Sequence, residues 1–93
     1  MDCFALLRVT TRGYHSTLDE LLEVFSDHII YGLDDNEDIC VLNPDGTIYA
    51  TFERVEGETD LYCLYRMDYD NLYFSEVARL WANKIVKLSK EVN

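Results

Sequence analysis

Asp34, Asn36 and Asp38 alternate as the first three ligands of an EF-hand calcium loop do, so metal chemistry is sought there first. The pattern then fails. Ile39 stands where the loop needs glycine, and Asp45 stands where it needs a bidentate glutamate. The segment also leads into a strand rather than a helix, and a solvated acidic loop is the expectation. Zinc fares no better: His15, His28, Cys3, Cys40 and Cys63 show no C-x-x-C or H-x-x-x-H spacing. An odd number of cysteines with no close pair points to free thiols and a reducing compartment. There is no G-x-S-x-G nucleophile, and four scattered glycines make neither a P-loop nor a dinucleotide fingerprint. Eighteen carboxylates make some neighbouring pair inevitable, so a glycosidase-like pair of acids carries no weight. The chain reads as non-enzymatic, with no cofactor and no metal.

Charge is the strongest remaining signal. The 93 residues carry a net charge of −10, and it is unevenly spread. Residues 1–78 hold 17 acids against four arginines, or −13, while Arg79, Lys84, Lys87 and Lys90 against Glu91 leave +3 at the end. Such a field repels nucleic acid and anionic membranes and attracts basic partners. The 48% hydrophobic and 13% aromatic content sets the chain apart from a disordered acidic tail. One compact domain over 1–93 is expected. No apolar run approaches the ~20 residues that span a bilayer, and Met1-Asp2-Cys3-Phe4 lacks the basic region of a secretory signal, so a cytoplasmic protein is expected.

The elements that must carry this charge follow from periodicity. Phe4–Thr11 ends in Val9-Thr10-Thr11 before Arg12-Gly13, which favours a strand over a helix. Thr17 and Glu20 form a capping box, and Leu18, Leu21, Leu22, Phe25 and Ile29 continue at helical spacing toward Gly32. Asn43-Pro44-Asp45-Gly46 is a turn, and Glu56-Gly57 marks a second. A three-residue first loop pairs Leu42 with Ile48 and Cys40 with Ala50; a two-residue second loop pairs Phe52 with Leu61 and Ala50 with Cys63. One face then reads Cys40, Leu42, Ile48, Ala50, Phe52, Leu61, Cys63, Tyr65, Met67, all apolar or aromatic. The other face, with Ile39, Val41, Tyr49, Tyr62 and Leu64, is too apolar to be simply wet, so it is either covered or a contact surface. Phe74, Val77, Ala78, Trp81, Ile85, Leu88 and Val92 predict a last helix of five turns, capped by Asp70 or Asn71, with its lysines favoured by the helix dipole. The expected fold is α+β: two layers, an antiparallel three- or four-stranded meander with both helices on one face, in the order β-α-β-β-β-α.

What remains is binding. Asp68-Tyr69-Asp70-Asn71-Leu72-Tyr73 alternates acids with aromatics, and tyrosine is enriched in interface hot spots. The expected partner-binding residues are Asp34, Asp35, Glu37 and Asp38 in the acidic loop, Glu53, Glu56, Glu58 and Asp60 around the second turn, and Asp68, Tyr69, Asp70 and Tyr73 at the sheet exit. In compactness and acidity alone, the chain resembles the small inhibitors of phages and mobile elements, such as anti-CRISPR proteins and other DNA mimics. That resemblance implies an inhibitor that covers a basic nucleic-acid-binding site on a partner protein, without itself binding nucleic acid or membrane. The alternative is a homodimer or regulatory module that uses the apolar second sheet face.

Overall fold

The capping box predicted at Thr17 forms. The Glu20 amide donates to Thr17 Oγ1 (3.2 Å) and the Thr17 amide donates to Glu20 Oε1 (3.1 Å). The computed structural model describes residues 8–10, 13–33, 38–81 and 84–88. Asp34, Asp35, Glu37, Cys3, Lys90 and the segment before Arg8 lie outside them.

Among the described residues nine elements follow one another: β1 (Arg8–Thr10), β2 (Gly13–Ser16), α1 (Leu18–Val24), β3 (Ile29–Leu33), β4 (Asp38–Leu42), β5 (Ile48–Arg54), β6 (Tyr62–Arg66), α2 (Phe74–Trp81) and β7 (Ile85–Lys87). The class is α+β, as expected. The strands form one antiparallel sheet of seven, in the order β1-β2-β6-β5-β4-β3-β7. The expected three-stranded meander, β4, β5 and β6, is its middle, and the described part of the expected N-terminal strand is the edge strand β1.

Both predicted helices are shorter than expected, and each gives way to a strand. The first stops at Val24, where Phe25 leaves helical geometry while its amide still donates to the Leu21 carbonyl (2.9 Å). Ile29-Ile30-Tyr31, β-branched and aromatic, then pairs with β4 as a strand. The second stops at Trp81, and Ile85–Lys87 pairs with β3. Lys87 therefore lies on an edge strand, where a charged side chain discourages pairing with another sheet, and does not cap a helix. Asp70 and Asn71 do not cap α2 either. Both have positive φ (47° and 62°), and the Leu72 amide donates to the Tyr69 carbonyl (3.0 Å), which makes a type I′ turn. Asp and Asn tolerate that conformation better than other side chains.

The first hairpin turns as expected. The Gly46 amide donates to the Asn43 carbonyl (2.9 Å), and Gly46 has a φ of 91°, a conformation that side chains rarely adopt. Asp45 accepts from both the Thr47 amide (2.9 Å) and the Thr47 hydroxyl (2.6 Å), and the hydroxyl bond is the main reason its carboxyl is held below the usual range. Leu42 faces Ile48, as predicted. Beyond that pair an extra residue enters β5. Val41 faces Ala50, Cys40 faces Thr51 and Ile39 faces Phe52, so Tyr49 is the bulge.

The second hairpin differs by more. Its loop runs through residues 55–61, closed by the Val55 amide donating to the Leu61 carbonyl (2.8 Å). Cys63 consequently faces Glu53 and Leu64 faces Phe52, not the partners expected from a two-residue turn. A second bulge follows, because Thr51 faces Arg66 and leaves Tyr65 extra.

The bulge at Tyr49 changes which residues share a face. Ile39, Val41, Ala50, Phe52 and Tyr62 pack with Ile30 and with Leu21 and Phe25 of the α1 segment. Leu33, Cys40, Leu42, Ile48 and Tyr69 form a second cluster, against which Phe74, Val77 and Trp81 of α2 pack. Neighbours along β4 point to opposite faces. The helices therefore cover opposite sides, and the molecule has three layers rather than two. The apolar face that suggested a homodimer is covered by α1: Ile39 and Val41 are fully buried and Tyr62 nearly so.

Candidate functional site

The two faces are finished differently. Under α1, Phe25 is ringed by Phe52 (5.9 Å between ring centroids), Tyr49 (5.8 Å) and His28 (5.3 Å). Desolvation outweighs the nearby Asp27 charge and holds the His28 pKa below its usual value. On the other face α2 buries none of its residues fully, and Leu80 is 82% exposed. Between α2 and strands β4–β6 lies an open cleft of about 690 Å³. That volume is within the range of small-molecule clefts, roughly 300–1,000 Å³.

The floor of the cleft is Tyr69. It is buried, its hydroxyl shares a 2.7 Å hydrogen bond with Thr51 Oγ1, and its ring lies 5.7 Å from that of Trp81. Burial, more than any neighbouring charge, raises its phenol pKa. Tyr65, Leu80 and Leu33 extend the apolar wall. The β6 bulge matters here, because the extra residue brings both Tyr65 and its neighbour Arg66 to the cleft. Bulges often re-aim side chains beside functional sites in this way.

Charge enters in two places. Asp38 and Glu53 lie directly opposite each other on the β4–β5 ladder, and both line the cleft. Like charges in that relation repel. Arg66 spans the other side: its Nε donates to Asp68 Oδ1 (2.8 Å), and its guanidinium carbon stands 4.8 Å from the centre of the Tyr69 ring. The hydrogen bond from Arg66 is the main reason the Asp68 carboxyl sits below its usual range.

The twelve expected partner-binding residues thus separate. Asp38, Glu53 and Tyr69 come together in the cleft, with Asp68 attached to it through Arg66. Tyr69 is buried, so it contributes a wall rather than the exposed contact expected. Glu56 and Glu58 are exposed on the β5–β6 loop, Glu56 beside a smaller cleft of about 330 Å³ shared with Arg54 and Cys63. Asp60 accepts from the Leu18 amide (2.9 Å) at the start of α1, which is a structural task. Asp70 belongs to the type I′ turn, and Tyr73 pairs with Thr47 beside Gly46, away from the cleft. Sequence reasoning missed Tyr65, Arg66, Leu80 and Trp81. Trp81 and Leu80 are adjacent on an amphipathic helix, and the exposed member of such a pair is legible only once its register is known.

Among the described residues no three His, Cys, Asp or Glu side chains converge to hold a metal ion, and no helix is long and apolar enough to cross a membrane. Cys40 and Cys63 are free thiols. Burial pushes the Cys40 thiol up to about 12, while Cys63 is only partly buried. An alkylating reagent at about pH 8 is expected to modify Cys63 well before Cys40, as mass spectrometry of the digested protein would show. Equal rates would contradict the buried site. The raised thiol also carries a sign for stability. Its contribution is complete below the ordinary thiol value of 9.0 and is lost as pH rises from there toward about 12, where the unfolded chain ionises and the folded one does not.

No family model, no curated protein and no solved structure matches the chain.

Proposed function

We propose that the chain is a non-enzymatic protein-binding module that docks its α2 face on a basic surface of a partner protein, of the kind that otherwise holds nucleic acid. Occupying that surface would make it an inhibitor of the DNA-mimic type, with carboxylates standing where phosphates would. The observation that carries the reading is the cleft: two carboxylates opposite each other, an aromatic floor, and a mouth at which Tyr65 (70% exposed) and Leu80 remain open to solvent. Interfaces combine buried aromatic anchors with a charged rim in this way. The net charge of −10 would steer a basic partner toward the protein from a distance.

The test is affinity capture from the native host, identification of the partner, and titration of the purified pair. Affinity is expected to fall by at least about tenfold between roughly 0.05 M and 0.5 M salt, because exposed charge pairs are screened. Nucleic acid is expected to compete with the protein for the partner. A complex indifferent to salt, or one that binds nucleic acid and this chain at once, would sink the proposal.

A further inference from the structure

We infer that the cleft on the α2 face takes one aromatic side chain of the partner, carried on a segment with basic residues on either side; the inference rests on the proposed docking on a basic surface and names the contact that anchors it. Three observations lead to this occupant.

The first is where apolar surface is left open. Phe74, Val77 and Trp81 stand at i, i+3 and i+7 of α2 and pack against the sheet. Leu80 precedes Trp81 by one residue, about 100° round the helix, so it borders the cleft instead of lying under α2. It is 82% exposed. Tyr65, the extra residue of the β6 bulge, lines the same cleft and is 70% exposed. Single exposed apolar side chains are ordinary, but two large ones at one cleft, beside a half-buried tryptophan, mark a contact surface.

The second is the state of the rings. Tyr69 is already engaged: it is buried, its hydroxyl meets Thr51 (2.7 Å), and the Arg66 guanidinium stands 4.8 Å from its ring centre. Tyr65 keeps most of its surface open, and Trp81, tilted against Tyr69, is only partly buried. An incoming ring can meet these two edge-to-face or offset and so adds to what area burial alone supplies. An aliphatic side chain gains the area term only.

The third is charge, which decides what carries the ring. A second copy of this chain is a poor occupant, because each copy bears −10 and the two repel on approach. Tyr65 and Glu53 line both this cleft and the smaller one, so a segment anchored in the first continues into the second. There it passes the exposed Glu53 and Glu56, two carboxylates against Arg54, and basic residues beside the anchor suit that path.

The test uses the whole chain and short capped peptides: a central phenylalanine, leucine or alanine flanked by lysines, and a phenylalanine flanked by glutamates. Trp81 is the only tryptophan and the peptides have none, so its emission reports the cleft directly. Among the lysine-flanked peptides, phenylalanine is expected to bind about tenfold more tightly than alanine and several-fold more tightly than leucine. The glutamate-flanked peptide is expected not to bind. Tyr65→Ala and Leu80→Ala, both at mostly exposed positions and checked for fold by circular dichroism, should each remove most of the preference for phenylalanine. Tyr73→Ala, at an exposed tyrosine away from the cleft, should keep it. Equal affinity for phenylalanine and either other centre, a silent Trp81, or a preference that survives both cleft variants would overturn the aromatic anchor. Equal binding of the glutamate-flanked peptide would overturn the basic flanks. Sedimentation equilibrium is expected to give a monomer; a dimer that Leu80→Ala dissolves would assign the cleft to a second copy and overturn the inference as well. In each of those cases a salt-sensitive partner complex would still support the broader reading, whereas a salt-indifferent complex would remove the reading itself.

Discussion

Replacing Phe52 with alanine is expected to cost about 4 kcal/mol and to lower the thermal midpoint by roughly 20 °C. Phe52 is fully buried in the middle of β5, in ring contact with Phe25 of the α1 segment. Removing the ring forfeits its transfer free energy and leaves a cavity between sheet and helix, where neighbours collapse only in part. A domain of this size has roughly 5–15 kcal/mol of stability in all, so the variant would be close to unfolding at body temperature. Thermal melts by circular dichroism measure the loss. A double-mutant cycle of Phe25→Leu and Phe52→Leu tests the face assignment as well. A coupling of at least about 0.5 kcal/mol is expected for rings in contact. Independent effects would mean that Phe52 faces α2 instead.

The second large effect is expected at Tyr69. Tyr69→Ala should cost about 3 kcal/mol and shift Trp81 emission to the red. The side chain links three elements: its hydroxyl meets Thr51 on β5, its ring meets Trp81 on α2, and Arg66 of β6 lies over its face. Because α2 has no fully buried residue, loss of the ring should loosen the helix more than the sheet. Tyr69→Phe keeps the ring and strands the Thr51 hydroxyl, at a cost of about 1 kcal/mol. Adding Thr51→Val removes the stranded group and should restore much of that loss. Urea titrations followed by both circular dichroism and fluorescence separate the two responses. An unchanged Trp81 spectrum in Tyr69→Ala would show that the tyrosine does not hold α2 in place.

Local signals in the sequence are legible where one residue type has one meaning. Thr17 with Glu20 makes a capping box, and Pro44 with Gly46 makes a turn, because few other conformations satisfy those side chains. Sequence and structure part where a pattern has two meanings. Phe25 to Ile29 and Trp81 to Ile85 are both spaced by four, so an apolar stripe continues through each helix end into the strand beyond. Neither helix ends in glycine to mark the stop. The β-branched pairs Ile29-Ile30 and Ile85-Val86 were the available signal for strands.

The sheet faces show why hairpin arithmetic is fragile. Cys40, Leu42 and Ile48 were placed together correctly, but one extra residue at Tyr49 carried Ala50 and Phe52 to the opposite side. A bulge leaves no composition signature, since every residue involved remains a good strand former. The cleft suffered from the same blindness. Asp38, Glu53, Tyr69 and Asp68 stand out by type, but only the true register sets Glu53 opposite Asp38 and turns Tyr65 and Arg66 toward them.

Strand order also bears on how the chain assembles. From β3 to β6 each strand lies beside its sequence neighbour, so those contacts close short loops at small entropic cost. Two joins have no such advantage: β2 meets β6, and β7 meets β3, only after long stretches of chain have been gathered in. The β3–β6 meander is therefore expected to assemble before the β2–β6 and β7–β3 joins form. The cleft is split by the same division, since β4, β5 and β6 belong to the locally connected part, while Tyr69 and α2 follow them in the chain and supply the remaining wall.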